Sequence, residues 1–318
     1  MSRSPGLCGF EFGRNPLFWG LHLWLWVLAA VVGTASWDCA IDEPVRATRE
    51  SALSAPAEGI STLEVRNRIG RIDVTGYDGA DVQVRLVVKV RAASDERAEA
   101  LAREVTLRPT VEGDTLKLSP LLPNLGHREQ IEVELDVSVP WPRAAADSPA
   151  AATQPSAAAR SVDCHTDVGR IRVRDVAAAV DADASTGAIK VENVSGPVNA
   201  ETQTGTVRVR AVNGKVTATS TTGSVTVADV RGPVRATTST GSIDVSHVDC
   251  RQAGQAPQTA VWAHATTGSV CVQDVTGNVE ATTSVGRVSV SDVRGTVKAH
   301  SALGKVVRNH IEEPADSD

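Results

Sequence analysis

Residues 223–240, GSVTVADVR followed by GPVRATTST, decide the fold of this chain. They form one copy of an 18-residue unit, G-x-V-x-V-x-D-V-x-G-x-V-x-A-x-T-x-T, which consists of two nonapeptide halves. Self-similarity at a short, fixed period predicts stacked repeats, and alternating apolar and polar residues predict strands. The first glycine of the unit recurs at 18-residue spacing, interrupted by one spacing of 27, at Gly169, Gly187, Gly205, Gly223, Gly241, Gly268, Gly286 and Gly304.

The positions of apolar residues within the unit predict where the chain turns. Counting the first glycine as position 1, apolar residues occupy positions 3, 5, 8, 12 and 14, and threonine or valine often occupies position 18. The alternation changes parity between positions 5 and 8, and again between 18 and the next 3, which marks two corners. We therefore predict an all-β fold, a parallel β-solenoid of 18-residue coils spaced about 4.8 Å apart. The aromatic content of 3% suits such a thin core.

The rest of the exported chain divides into four parts. Residues 58–142 are predicted to form a divergent first coil and an irregular N-terminal β-rich cap, in which Ser94 caps one short helix. The Ala/Ser/Pro-rich stretch 143–160 is predicted to be a linker, and 161–308 to be the solenoid. Residues 309–318 form an acidic tail with the composition of a disordered segment. The 27-residue spacing contains an insertion, CRQAGQAPQ at 250–258, expected to form a surface loop.

The first 35 residues are expected to direct export. Arg3 and Arg14 precede an apolar run over residues 17–32, and the small residues GTA suit signal-peptidase cleavage after Ala35. Extended to Trp37, the run has 21 residues and would span a bilayer, so an uncleaved membrane anchor remains the alternative. In both cases the following residues lie outside the cytoplasm, in the periplasm or at the cell surface.

Three stretches carry a resemblance to a known family. They are LEVRNRIGRIDVTGYDGADVQV (63–84), VELDVSVP (133–140) and TGSVTVADVRGPVRATTSTGSIDV (222–245). In this order, with a short helix between the first two, they resemble the bacterial putative-adhesin family of β-strand-repeat envelope proteins, a domain family of unknown function. The resemblance covers about residues 60–308 and implies a noncatalytic, envelope-associated β-solenoid. Some relatives are linked to envelope-stress responses. The segments 143–160 and 250–258 depart from the family pattern.

Composition and spacing exclude several classes of function. The net charge of −6 argues against nucleic acid as the main partner, because phosphate binding needs a basic surface. The five cysteines include no CxxC pair and no Cys/His cluster, so we expect neither a zinc site nor any other metal or cofactor. An enzyme, such as a β-helical polysaccharide lyase, would use stacked carboxylates. These would come from position 7, which is occupied by Asp175, Asn193, Asp229, Asp274 and Asp292. Asp and Asn are also typical corner-capping residues, and we therefore predict no catalytic residues.

Two surface features are candidate binding sites. Six basic residues are predicted to point outward from one face of three consecutive coils, and together they are called the basic stripe: Arg170, Arg172, Arg174, Lys190, Arg208 and Arg210. The stripe is suited to an anionic glycan or lipid headgroup, although a merely solvated face is the alternative. Trp262 is predicted at outward position 13, between Arg235 and Glu280 of neighbouring coils. Its indole would stack on a sugar or pack against Arg235 as a cation–π pair.

The sequence therefore predicts a noncatalytic envelope protein that presents a repetitive face to a partner. The partner would be a glycan, a lipid headgroup or a protein. A purely structural spacer or stress-response component is the first alternative, and a polysaccharide-active enzyme is a distant one.

Overall fold

The computed structural model describes residues 45–140, 160–250 and 259–312. The leader, residues 251–258 of the insertion, residues 313–318 and all of the 143–160 stretch except Arg160 lie outside the described residues. The N-terminal elements are β1 (Val45–Pro56), β2 (Thr62–Gly76), β3 (Asp81–Ala92), α1 (Asp95–Glu104), β4 (Thr106–Leu107), β5 (Thr110–Glu112), β6 (Thr115–Leu118), β7 (Pro120–Leu121) and β8 (Gln130–Val139). No helix in the described ranges is long and apolar enough to cross a membrane.

The repeat region continues as strands over nearly its whole length, which confirms the prediction of an all-β chain with one helix in the described residues. Its strands are β9 (Ser161–Val176), β10 (Ala179–Ser195), β11 (Val198–Asn213), β12 (Val216–Thr222), β13 (Val225–Arg231), β14 (Val234–Thr240), β15 (Ile243–Asp249), β16 (Thr259–Thr267), β17 (Val270–Thr276), β18 (Asn278–Val285), β19 (Val288–Arg294), β20 (Val297–Leu303) and β21 (Val306–Glu312).

The sequence period sets the register of the sheet. Val180 in β10 aligns in parallel with Val198 in β11, and Val198 aligns with Val216 in β12. Across the insertion, Val234 in β14 aligns with Val261 in β16. Equivalent positions of successive units are therefore neighbours throughout, and the longer spacing does not change which side chains face the core.

Valine and alanine fill the core. Position 5 supplies the buried residues Val191, Val209, Val227, Val245, Val272 and Val290. Position 14 supplies the buried residues Ala200, Ala218, Ala236, Ala263 and Ala281. Ala299 of the last unit is only partly buried. This pairing of medium with small side chains explains why the chain needs few aromatic residues.

The second corner differs from the sequence prediction. Position 16 points inward, and in four units its hydroxyl donates to the carbonyl of the first glycine of the same unit, as Thr238 Oγ1 does to Gly223 O at 3.2 Å. Position 18 points outward, with Val168 49% exposed and Leu303 69% exposed. The change of parity therefore falls between positions 16 and 3. Strand alternation places position 16 on the same side as positions 12 and 14, since Ala184 and Ala265 are buried there without any hydroxyl.

The first corner is a backbone feature at position 7. Asp175, Asn193 and Asp229 have φ of 56°, 55° and 56°. Asp and Asn tolerate this left-handed conformation better than most residues with a Cβ, because their short polar side chains bond locally. The prediction of a corner at this position is confirmed, and the recurring acid follows from the backbone geometry.

The N-terminal part extends the same sheet. β2 pairs in parallel with β9, with Gly70 aligned to Gly169, so β2 lies in register as one further repeat. β8 pairs in parallel with β2, β3 pairs antiparallel with β8, and β1 pairs antiparallel with β3. Helix α1 packs on β1 and β3, and Ser94 Oγ accepts from Arg97 N at its start. This is the helix that the sequence predicts.

The last repeat carries an exposed charged residue, Arg308, at a position that points inward in the preceding units. Arg308 aligns with Val290, so it occupies a position that holds buried valine in the preceding unit. Its guanidinium donates to the carbonyl of Ala299 at 2.8 Å, which places a cation over the exposed end of the core. β21 continues to Glu312, so residues 309–312 belong to a strand rather than to the predicted tail. Pairing with β19 extends the strand to this point.

Candidate functional site

Outward positions 2, 4 and 6 place the basic stripe on one face of the sheet. Arg172 aligns with Lys190, and Lys190 aligns with Arg208, so position 4 carries three cations on consecutive units. Neighbouring parallel strands lie about 4.8 Å apart, so these side chains form one close column, in which Asp73 of β2 aligns with Arg172 at the N-terminal end. Arg170 lies at position 2 of the first of these units.

Three cations of the basic stripe are bound to other side chains of the same molecule. Arg210 Nε bonds Asp229 at 2.8 Å, which raises the pKa of the guanidinium. Lys190 Nζ lies 2.7 Å from Glu192, and Arg174 Nε lies 3.0 Å from Thr75 Oγ1.

The remaining stripe cations are free of such pairing. Within the described ranges, Arg170, Arg172 and Arg208 make no ion pair, and Arg172 Nε is buried without a hydrogen-bond partner. These three side chains are therefore the ones available to an anion.

Trp262 lies where the sequence places it. It aligns with Arg235 on one side and Glu280 on the other. The Arg235 guanidinium carbon lies 4.2 Å from the indole centroid, and the His264 ring stacks on the indole at 5.6 Å with an angle of 24°. The half-buried indole thus already contacts a cation and a second ring, which leaves less of its surface for a sugar.

The position-7 column contains a residue that the sequence analysis missed. His247 occupies position 7 between Asp229 and Asp274, with its ring nitrogens 3.8 Å and 3.5 Å from the two carboxylates. Counting 18 residues from Asp229 would have found it. The side chains of His247 and Asp274 are 62% and 67% exposed, so this is a solvated charged corner rather than an enclosed site.

The opposite face of the first repeats is acidic. Asp163 aligns with Asp181. The pKa of Asp163 is raised, mainly because burial removes water from its carboxylate and secondly because Asp181 carries a like charge. His165 Nδ1 lies 3.1 Å from Asp183. Among the residues described, no group of three or more His, Cys, Asp or Glu side chains is arranged to hold a metal ion.

Comparison with known proteins gives similarity to solved structures only. No protein-family model matches the sequence, and no curated protein matches it. A putative adhesin from Bacteroides fragilis is 14% identical with a TM-score of 0.39, covering 83% of this chain and 97% of its own. A putative cell adhesion protein from Clostridium sporogenes is 9% identical with a TM-score of 0.33, covering 84% and 100%. A putative adhesin from Parabacteroides merdae is 15% identical with a TM-score of 0.34, covering 84% and 97%. These sequence identities and TM-scores are too low for the similarity to assign a function to this chain.

Proposed function

We propose that this chain is a noncatalytic, exported β-solenoid of the cell envelope that binds an anionic glycan along its basic stripe. The observation that carries the proposal is the column of Arg172, Lys190 and Arg208 on consecutive units, together with the free state of Arg170, Arg172 and Arg208 among the described residues. A polymer with regularly spaced carboxylates or phosphates matches a column of cations at regular spacing.

The solenoid assignment is supported by the register. Each of the two strand regions of a unit pairs with the same region of the next unit, as Val191 does with Val209 and Ala200 with Ala218. Repetition of one register keeps every outward position in a straight column. A surface built in this way is suited to a repetitive ligand where consecutive units carry like residues, as position 4 does at Arg172, Lys190 and Arg208.

The absence of catalysis is proposed on two grounds. The acids at position 7 are explained by the left-handed backbone at that corner, as at Asp274 with φ of 53°. The basic stripe lies on an open face, where water would not be excluded from a reacting bond. Release of reducing ends from a bound polysaccharide would overturn this part of the proposal.

The test is binding of polygalacturonate to the full-length chain in about 50 mM and about 150 mM salt. We expect the affinity to fall steeply with salt, since screening weakens exposed charge pairs. Arg172→Gln/Arg208→Gln should weaken binding about tenfold or more. Arg287→Gln/Lys298→Gln removes the same charge from later units and should change affinity less than twofold.

The outcomes separate the alternatives. Equal losses in both double variants would show non-specific attraction and contradict the stripe as the site. No binding of polygalacturonate by the folded wild-type chain would overturn the proposal in favour of a structural spacer. Loss of binding in Trp262→Ala, with Arg172→Gln/Arg208→Gln unaffected, would move the site to Trp262 and Arg235.

A further inference from the structure

A second surface, which we call the cap groove, lies where the N-terminal strands join the first repeats. It is a concave region of about 1060 Å³ bordered by β1, β2, β3, β8, β9, β10 and the segment before β8. Arg172, Lys190 and Arg208 do not line it, but Arg170 of the basic stripe does, so the cap groove adjoins the stripe at its first unit.

The floor of the cap groove is apolar. Ile69, Leu125 and Val168 line it and are 39%, 41% and 49% exposed. Ile69 and Val168 are cross-strand partners at position 18, and Leu125 comes from the segment between β7 and β8. Three large apolar side chains from separate segments thus face water in one concavity, which is typical of a ligand site.

The rim of the cap groove carries two like charges in direct opposition. Arg46 in β1 and Arg91 in β3 are cross-strand partners, and the partner of Arg91 in β8 is the neutral Gln130. Within the part of the chain that the structure describes, neither arginine makes an ion pair. Like charges directly opposite each other destabilise a sheet, so an anion between them would relieve their repulsion.

The acids around the groove do not serve as that anion. Glu129 is bound by Arg97 at 2.7 Å, and Glu134 is bound by Lys89. Glu132 aligns with Lys89 rather than with Arg91. The groove therefore combines an apolar floor with two guanidinium groups that make no ion pair among the described residues, and Glu132 is the lining acid left without one.

We infer that the cap groove binds a lipid phosphate, with the phosphate between Arg46 and Arg91 and the alkyl chain over Ile69, Val168 and Leu125. Two guanidinium groups match the oxygens of a phosphate, and the chain would remove the three apolar side chains from water. The inference rests on Arg46 and Arg91, which are not part of the basic stripe, although Arg170 of the stripe also lines the cap groove.

Calorimetric titration of the full-length chain with dodecyl phosphate, below its micelle concentration, tests the inference. We expect dodecyl phosphate to bind at least about tenfold tighter than inorganic phosphate or the neutral decyl maltoside. Arg46→Gln/Arg91→Gln should lose about tenfold in affinity for dodecyl phosphate, and Val168→Ser about threefold. Arg287→Gln/Lys298→Gln, with the same loss of charge elsewhere, should bind as the wild type does.

A thermal melt without ligand checks that the variants fold. Arg46→Gln/Arg91→Gln should melt at the same temperature as the wild type or above it, since a repulsion is removed. Unchanged binding of dodecyl phosphate in this variant would overturn the inference. Equal affinity for inorganic phosphate and dodecyl phosphate would also overturn it, because the apolar floor would then have no role in binding. Preferential binding of an acidic peptide would overturn it as well. Retained polygalacturonate binding in the same variant would show that only this inference had failed.

Discussion

Gly223 lies so close to Gly205 of the preceding repeat that a Cβ on Gly223 would be 1.7 Å from the Gly205 carbonyl oxygen. Its φ of 143° also belongs to a region that L side chains rarely adopt. The first glycine of the unit is therefore required by close backbone approach between repeats as well as by its conformation.

Gly223→Ala should accordingly destabilise the chain by roughly 3 kcal/mol or more, because backbone must move to admit the methyl group. Gly113→Ala is the matched control, since Gly113 also has a positive φ of 63° but has open space around its Cβ direction. It should cost only about 1 kcal/mol. Chemical denaturation of both variants measures the difference, and equal losses would show that conformation alone explains the glycine.

Two threonines at position 16 differ in one hydrogen bond. Thr238 donates to Gly223 O at 3.2 Å, whereas Thr202 Oγ1 is buried without a hydrogen-bond partner. Valine is nearly the same shape as threonine. Thr238→Val should therefore cost about 1 kcal/mol in the free energy of unfolding, and Thr202→Val should be neutral or stabilising. A larger loss in Thr202→Val than in Thr238→Val would contradict the hydrogen-bond assignment.

Arg308 is expected to keep the end of the sheet from pairing with other chains. Inward-pointing charge is a common protection of sheet edges. Arg308→Val would extend the valine column that ends at Val290 and leave an apolar edge. Light scattering of concentrated samples should show association of this variant. Arg287→Val, an outward substitution with the same change of charge, should remain as dispersed as the wild type. If Arg308→Val also stays dispersed, the protective role is wrong.

Asp163 gives a pH-dependent prediction. Its pKa is raised by loss of hydration and by the charges of Asp181 and Glu64. A raised pKa in the folded state means that stability is lost as the pH rises from the unfolded pKa through the folded one. Asp163→Asn should therefore stabilise the chain at pH 7, by less than about 1 kcal/mol for this exposed group.

The pH profile of the melting temperature checks the assignment. The advantage of Asp163→Asn over the wild type should disappear below about pH 3, where the aspartate is protonated in both states. Asp181→Asn removes one neighbouring charge but leaves the loss of hydration, so it should give a smaller gain. A stabilisation of Asp163→Asn that is the same at pH 7 and pH 3 would contradict a charge effect.

The repeat could be predicted because its information is local and periodic. Each 18-residue unit carries its own apolar pattern, and the core valines such as Val209 and Val227 follow from counting. The outward positions of Arg172 and Trp262 follow from the same count. Counting did not identify the ion-pair partners of the outward residues. Arg210 pairs with Asp229, for example, which joins position 6 of one unit to position 7 of the next.

The sequence by itself determined the period, the alternation of inward and outward residues, the corner at position 7 and the helix after Ser94, since these depend on residue type and spacing. Only the tertiary structure decided that position 16 is buried, that Arg308 covers the end of the core and that Arg46 faces Arg91. Those relationships depend on which strands become neighbours. In the N-terminal region, pairing joins segments with no common repeat, and no count along the chain specifies it.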